Sequence, residues 1–124
     1  MDELVQTLNQ MCDEQPFHTG WYLKDLKSGQ EANRHGDLVG PSASTRKISI
    51  LMTALKEIHE GRLTFEQPLT PDPKYQHNNS GCFRFFQPHF TLPLADHLTM
   101  MIIVSDNVST GMLVDMIGVD TINA

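Results

Sequence analysis

Ser44 and Lys47 are the residues in this chain whose types and spacing could do chemistry. In Ser44-Thr45-Arg46-Lys47 they stand three apart, so on a helix they share one face, one turn from each other. The chemistry is nucleophilic: a serine hydroxyl attacks a carbonyl when a base takes its proton and N–H donors meet the oxyanion that forms. The first N–H groups of a helix can be such donors. Lys47 is a base only when neutral. Bringing its pKa from about 10.4 to about 7 takes roughly 5 kcal/mol of discrimination against the ammonium. A helix dipole gives at most about 2 kcal/mol, so desolvation must supply most of it. The sequence therefore demands a dry enclosure around Lys47, one that these 124 residues are not expected to build alone.

The element that must position the pair runs from Pro41 to Gly61. Pro41 and Ser42 read as loop and cap, and Gly61 as the residue past the helix end. Ile48, Ile50, Leu51, Met52, Ala54, Leu55 and Ile58 leave almost no polar face, which predicts a buried central helix. By itself Ser-x-x-Lys is weak, since a chain of this size holds about 0.4 such pairs by chance. Its bland reading is a capped helix with a solvated lysine near the start. Ser105-Asp106-Asn107 alters that balance, being expected in only about one or two per hundred chains of this size. Leu94, Leu98, Met101, Ile102 and Ser105 fall at helical spacing after Pro93, which suits a first helical turn. Met112, Leu113, Met116 and Ile117 mark the next helix. The triplet is then an inter-helix turn, with Asp106 or Asn107 free to cap the second of the two helices.

Together Ser44-Thr45-Arg46-Lys47 and Ser105-Asp106-Asn107 resemble the signatures of the class A β-lactamase and penicillin-recognising serine hydrolase family. The resemblance extends to the order of a first helix, the Trp21–Gln30 strand, the Ser-x-x-Lys helix and the segment Leu98–Gly118. It implies a partial β-lactamase-like α/β (α+β) fold: residues 1–40 give the first helix and strands, and 41–124 the helical part with both motifs. It implies acyl transfer through Ser44 on an amide or lactam. Lys47 would be base or relay, and Ser105 would pass a proton to the leaving nitrogen. Asn107 would hold Lys47 and the substrate amide, and the Ser44 backbone N–H would be one oxyanion donor. Asp106 is assigned a structural role as a cap, and Arg46 none.

The family's second half carries a Lys-Thr-Gly strand and, in class A, a deacylating glutamate, and neither is found here. The expected partner is therefore a C-terminal half of the same precursor held as a separate chain, or a swapped homo-oligomer. An amidase or esterase acting on a non-lactam substrate stays open, as does a non-catalytic remnant or binding module, because fold and motif do not choose a substrate.

The rest of the chain is less informative. A length of 124 residues makes at most one domain, long enough to bury roughly two-thirds of its unfolded surface. The net charge of −6, without Lys/Arg runs, argues against nucleic acid and anionic membrane as partners. No apolar run reaches spanning length. Met1-Asp2-Glu3-Leu4 lacks the basic start and apolar stretch of a signal peptide, so a cytoplasmic site is expected, or a periplasmic or secreted one if a leader was removed. Cys12 and Cys82 read as free buried thiols, with a single bridge left open.

Residues 2–13 read as an amphipathic helix with Leu4, Val5, Leu8 and Met11 on one stripe. Residues 19–27 alternate around Trp21, Leu23 and Leu26, and Glu31–His35 return as a second strand with no good third. Gly61 to Phe90 is loop-rich, including Asn78-Asn79-Ser80-Gly81, and Phe83, Phe85, Phe86 and Phe90 are expected to pack locally. His77, His89 and His97, placed in loops or on a helix flank, match no ligand spacing. Neither metal nor cofactor is expected.

Overall fold

In the computed structural model, which describes residues 1–77 and 80–124, the chain divides into two compact units, Met1–Pro41 and Ser42–Ala124. Asn78 and Asn79, read above as part of a turn, lie outside the described residues.

The first unit holds helix α1 (Asp2–Asp13), with Asp2 and Glu3 in its first turn where the dipole favours acid, and an antiparallel hairpin of β1 (Trp21–Lys24) and β2 (Glu31–Arg34). The face α1 turns inward is not the predicted stripe. Leu4 and Met11 are exposed, while Val5, Leu8, Asn9 and Cys12 are half-buried. Arg34 accounts for the rotation: its guanidinium donates to the Asn9 carbonyl at 3.2 Å and to the Asp13 carboxylate at 2.7 Å, drawing that side of the helix to the hairpin. In the hairpin, Trp21 pairs with Arg34 and Lys24 with Glu31. The first strand ends at Lys24, short of the predicted 27, because the Asp25 carboxylate takes the Lys27 N–H and the Ser28 hydroxyl into a turn. Leu26, read with Trp21 and Leu23 as part of the alternating strand, is 89% exposed on that turn. His35, at φ 54°, closes the second strand one residue early.

The second unit is helical. Helix α2 (Arg46–His59) follows a 3-10 turn, Ala43–Thr45, so Ser44 lies just ahead of the helix rather than in it. Ser42 makes no side-chain cap; its carbonyl instead accepts the Thr45 N–H and hydroxyl. The predicted stop is present as a double bond pattern: Gly61 N–H to Ile58 O and Arg62 N–H to Glu57 O, with Gly61 at φ 75°. Two short strands not predicted from sequence, β3 (Pro68–Leu69) and β4 (Leu92–Pro93), pair antiparallel and close the loop-rich segment. Pro93 sits in β4 with extended backbone, immediately before rather than within the next helix.

Helix α3 (Leu94–Ile103), the Ser105-Asp106-Asn107 turn, α4 (Asn107–Ile117) and α5 (Val119–Asn123) complete the unit. Ile50, Ala54, Leu94, Leu98, Met101, Met112 and Leu113 form its core. On α3 the stripe is Leu94, His97, Leu98 and Met101, with Ile102 exposed rather than inside. Helix α2 is not buried all round either. Ile50 and Ala54 are inside, whereas Ile48 and Met52 remain 60% and 61% exposed and Leu55 is also open. Only one side of α2 has α3 and α4 to pack on within this unit. Among the described residues no helix is long and apolar enough to cross a membrane, and Cys12 and Cys82 are free, half-buried thiols.

Candidate active site

The 3-10 turn, the first turn of α2 and the α3–α4 turn bring four of the sequence-predicted side chains together. Ser44 Oγ lies 2.8 Å from Ser105 Oγ. Lys47 Nζ donates to the Ser105 carbonyl at 2.7 Å, to Ser105 Oγ at 2.7 Å and to Asn107 Oδ1 at 2.8 Å. Ser44 and Lys47 are joined through Ser105; no direct hydrogen bond links them among the described residues. Ser42 and Ser49 have no place in this network, and Asp106 stands behind it.

Lys47 is only 3% exposed, while Ser44 is open to solvent. Within this chain the Ser105–Asn107 turn folds over the amine and gives it three oxygens in place of water. Burial is the main cause that holds the Lys47 amine below the ordinary lysine value. The neighbouring Arg46 charge acts in the same direction, and Asp106 opposes both.

Asp106 is a completely buried structural cap. Its carboxylate accepts the Ser109 N–H and the Phe83 N–H, each at 2.9 Å. The segment around Phe83 therefore grips the turn, reinforced by Asn107 N–H donating to the Ser80 carbonyl at 3.1 Å. Gly81 makes this grip possible, since it sits at φ 94° where an added Cβ would fall 2.4 Å from Asp106 Cα. The sequence marks Ser80 and Gly81 only as part of a turn and Phe83 only as a local packing residue. A Ser-Gly pair beside an aromatic was the available signal, but nothing in it names the turn it holds.

Of the loop aromatics, Phe83, Phe86 and Phe90 form the expected cluster, with centroids 5.1 Å apart. Phe85 does not join it; it is exposed under the Arg84 guanidinium. His97 is also misplaced by the sequence reading, for it is fully buried inside α3 rather than on a flank. No group of three or more metal-ligating side chains occurs among the described residues. Beside Asn107 a cavity of about 400 Å³ opens between α2 and α4, lined among others by Arg46, Ser49, Tyr75 and Thr110.

Two non-glycine residues with left-handed backbone flank the network, Ala43 at φ 45° and Ser105 at φ 56°. Each conformation costs about 1–2 kcal/mol. Ser105 uses its turn to aim both its carbonyl and its hydroxyl at Lys47. Ala43 offers no comparable side-chain return, so Ala43→Gly is expected to stabilise the chain by about 0.5 kcal/mol after glycine's larger unfolded entropy is subtracted. Urea denaturation would read this as a raised midpoint at unchanged slope.

Among solved structures, the chain is similar to a PBP-A mutant caught as an acyl-enzyme complex with penicillin G, at 32% identity and a TM-score of 0.87 over 99% of this chain and 47% of that one. It also resembles β-lactamases from Sphaerobacter thermophilus (23% identity, TM-score 0.75, 84% of this chain and 38% of that one) and Chitinophaga pinensis (20%, 0.82, 94% and 44%) in fold. The chain thus spans about half the length of the structures it matches. No curated protein matches it. The model of the β-lactamase enzyme family matches residues 3–124, nearly the whole of the sequence, and the chain belongs to that family.

Proposed function

We propose that this chain carries the nucleophile and base of a serine hydrolase that acts by acyl transfer on an amide or lactam. The observation that carries the proposal is the unbroken path from Lys47 Nζ through Ser105 Oγ to Ser44 Oγ, closed at its lysine end and open at its serine end. The capture of a PBP-A relative as a penicillin G acyl-enzyme supports a lactam or a similar strained amide as substrate.

The partners of Lys47 dictate the direction of proton flow. As an ammonium it donates to all three oxygens. As a neutral amine it keeps two N–H bonds and one lone pair. The Ser105 carbonyl and Asn107 Oδ1 can only accept, so they take the two N–H bonds and the lone pair faces Ser105 Oγ. When Ser44 Oγ bonds to the substrate carbonyl carbon, its proton passes to Ser105 Oγ and the Ser105 proton passes to Lys47. Collapse of the tetrahedral adduct breaks the C–N bond, and the leaving nitrogen takes a proton back through Ser105. The product is an ester on Ser44 with Lys47 neutral again, and water then releases the acid. The Ser44 N–H serves as one oxyanion donor.

The exposed apolar residues of α2 (Ile48, Met52 and Leu55) and of the α3 end (Ile102 and Ile103) support a further part of the reading. They are a surface on which the family's C-terminal half would rest and bring the opposing lysine strand. Incubation with a fluorescent penicillin and, in parallel, a fluorophosphonate tests the function. Labelling that disappears in Ser44→Ala is expected; a fully assembled protein that takes up neither probe at high concentration would instead be a non-catalytic member of the family.

A further inference from the structure

A buried polar pair joins the two helices that flank the Ser105–Asn107 turn, and the acyl-transfer chemistry makes no use of it. His97 lies on α3 and Ser109 in the first turn of α4. Both are wholly inaccessible to solvent, and His97 Nδ1 is 3.0 Å from Ser109 Oγ. The ring meets Phe83 edge-on at 5.3 Å and stacks on Phe90 at 6.1 Å. An apolar side chain would fill such a site at no polar cost. An imidazole there requires a reason.

The tautomer is set by the surroundings. Among the described residues Nε2 makes no hydrogen bond of normal geometry, but the Leu69 carbonyl favours a proton on the ring. With that proton on Nε2, Nδ1 is left as acceptor for the Ser109 hydroxyl. Among the described residues, the charged groups acting on the ring are Asp106, at the start of α4, and Asp96, its neighbour on α3. Phe83 and Phe90 present no charge, and β3 presents only the Leu69 carbonyl. Burial outweighs the two carboxylates and keeps the imidazole below the ordinary histidine value, hence neutral near pH 7.

We propose that the His97–Ser109 hydrogen bond is a clasp that positions Ser105 and Asn107, closed while the imidazole is neutral and opened when the ring takes up a proton. A second ring proton would force Ser109 to turn from donor to acceptor. It would also set a cation beside the first turn of α4, where the backbone N–H groups already make the field positive. Asp106 cannot swing to pair with it, because its carboxylate is committed to the Ser109 and Phe83 N–H groups. The protonated ring leaves the pocket, α3 and α4 separate, and the turn between them loses its aim at Lys47. His97 is thus a positioning residue, and the inference rests on the acyl-transfer reading only for what the turn is positioned to do.

The test is NMR of the full chain, following the His97 ring and the amides of Ser105, Asp106 and Asn107 from about pH 8 to about pH 4.5, alongside penicillin labelling over the same range. The three amides are expected to move with the His97 midpoint, itself below about 6.5, and labelling, which falls steadily as Lys47 takes up its proton, is expected to fall a further ten- to hundredfold, roughly, across that step. In His97→Leu the step is expected to vanish. In Ser109→Ala, which leaves the ring in place should the leucine variant not fold, the amides are expected to stop following His97. Coupled titration without any labelling would support the clasp and count against the hydrolase reading. Turn amides indifferent to His97, or an acid step unchanged in both variants, would overturn the clasp.

Discussion

Lys47→Ala is expected to slow acylation of Ser44 by about 10²- to 10⁴-fold, the usual contribution of a positioned general base. Lys47→Arg is expected to do the same although it keeps the positive charge, because a guanidinium does not lose its proton in this range. The arginine variant therefore separates proton transfer from simple attraction of an anionic substrate. Acylation by the unaltered protein should rise with pH until Lys47 is deprotonated, with a midpoint below the ordinary lysine value of about 10.4. Both variants should lose that rise. The stability of the fold carries the same signature. Between the depressed folded pKa and about 10.4 the unfolded chain binds more protons than the folded one, so stability increases with pH through that window. The burial cost of the ammonium is fully present below the folded pKa and is gone above the unfolded one. Urea melts at stepped pH should show the alkaline gain in the parent and a flat line in Lys47→Met. A parent whose labelling rate is indifferent to pH, or an arginine variant as fast as the parent, would remove Lys47 from the base role.

How much of this was legible in the sequence depends on how local the cause was. Ser-x-x-Lys at one helix start and Ser-Asp-Asn between two helical patterns located the network, because three-residue spacing fixes a face whatever surrounds it. The stop at Gly61 and the Asp106 cap were equally local. Faces that need a partner were misjudged. The apolar girth of α2 predicts a fully buried helix, yet Ile48 and Met52 are exposed because this unit supplies neighbours on one side only. The inward face of α1 was set by Arg34, some twenty residues away, which periodicity within the helix cannot register. His97 was misplaced for a related reason. A histidine at a core position of a helix looks polar until Ser109, on the next helix, is seen to satisfy it. The cover over Lys47 was legible only in part: Ser105 Oγ and Asn107 Oδ1 belong to residue types that can be read, whereas the Ser105 carbonyl has no residue type to read. Its direction depends on the left-handed backbone at Ser105, a conformation that serine seldom adopts.

Gly81→Ala is expected to damage the site from outside it. The added Cβ would lie 2.1 Å from Asp106 Oδ2 and 2.4 Å from Asp106 Cα. A flexible side-chain tip could move aside, but a buried backbone atom cannot move without its turn. Displacing Asp106 breaks its bonds to the Ser109 and Phe83 N–H groups and strips the cap from α4, a loss of about 1 kcal/mol for the cap alone. Leaving a buried carboxylate short of donors adds about 1–3 kcal/mol, and the left-handed backbone at φ 94° adds about 1 more. The sum, about 3–5 kcal/mol, is in the range where a small domain loses most of its stability. Gly61 is the control, because it has nearly the same backbone at φ 75° with nothing within 4 Å of its Cβ position. Gly61→Ala should therefore cost only the conformational part, about 1 kcal/mol. Parallel thermal melts should show the two variants separated by roughly 10–20 °C, and any folded Gly81→Ala should label at Ser44 far more slowly than Gly61→Ala. Equal melting points would mean that Gly81 does not hold the turn. The contribution of the loop to the alignment of Ser105 and Asn107 would then have to come from the Ser80 carbonyl alone.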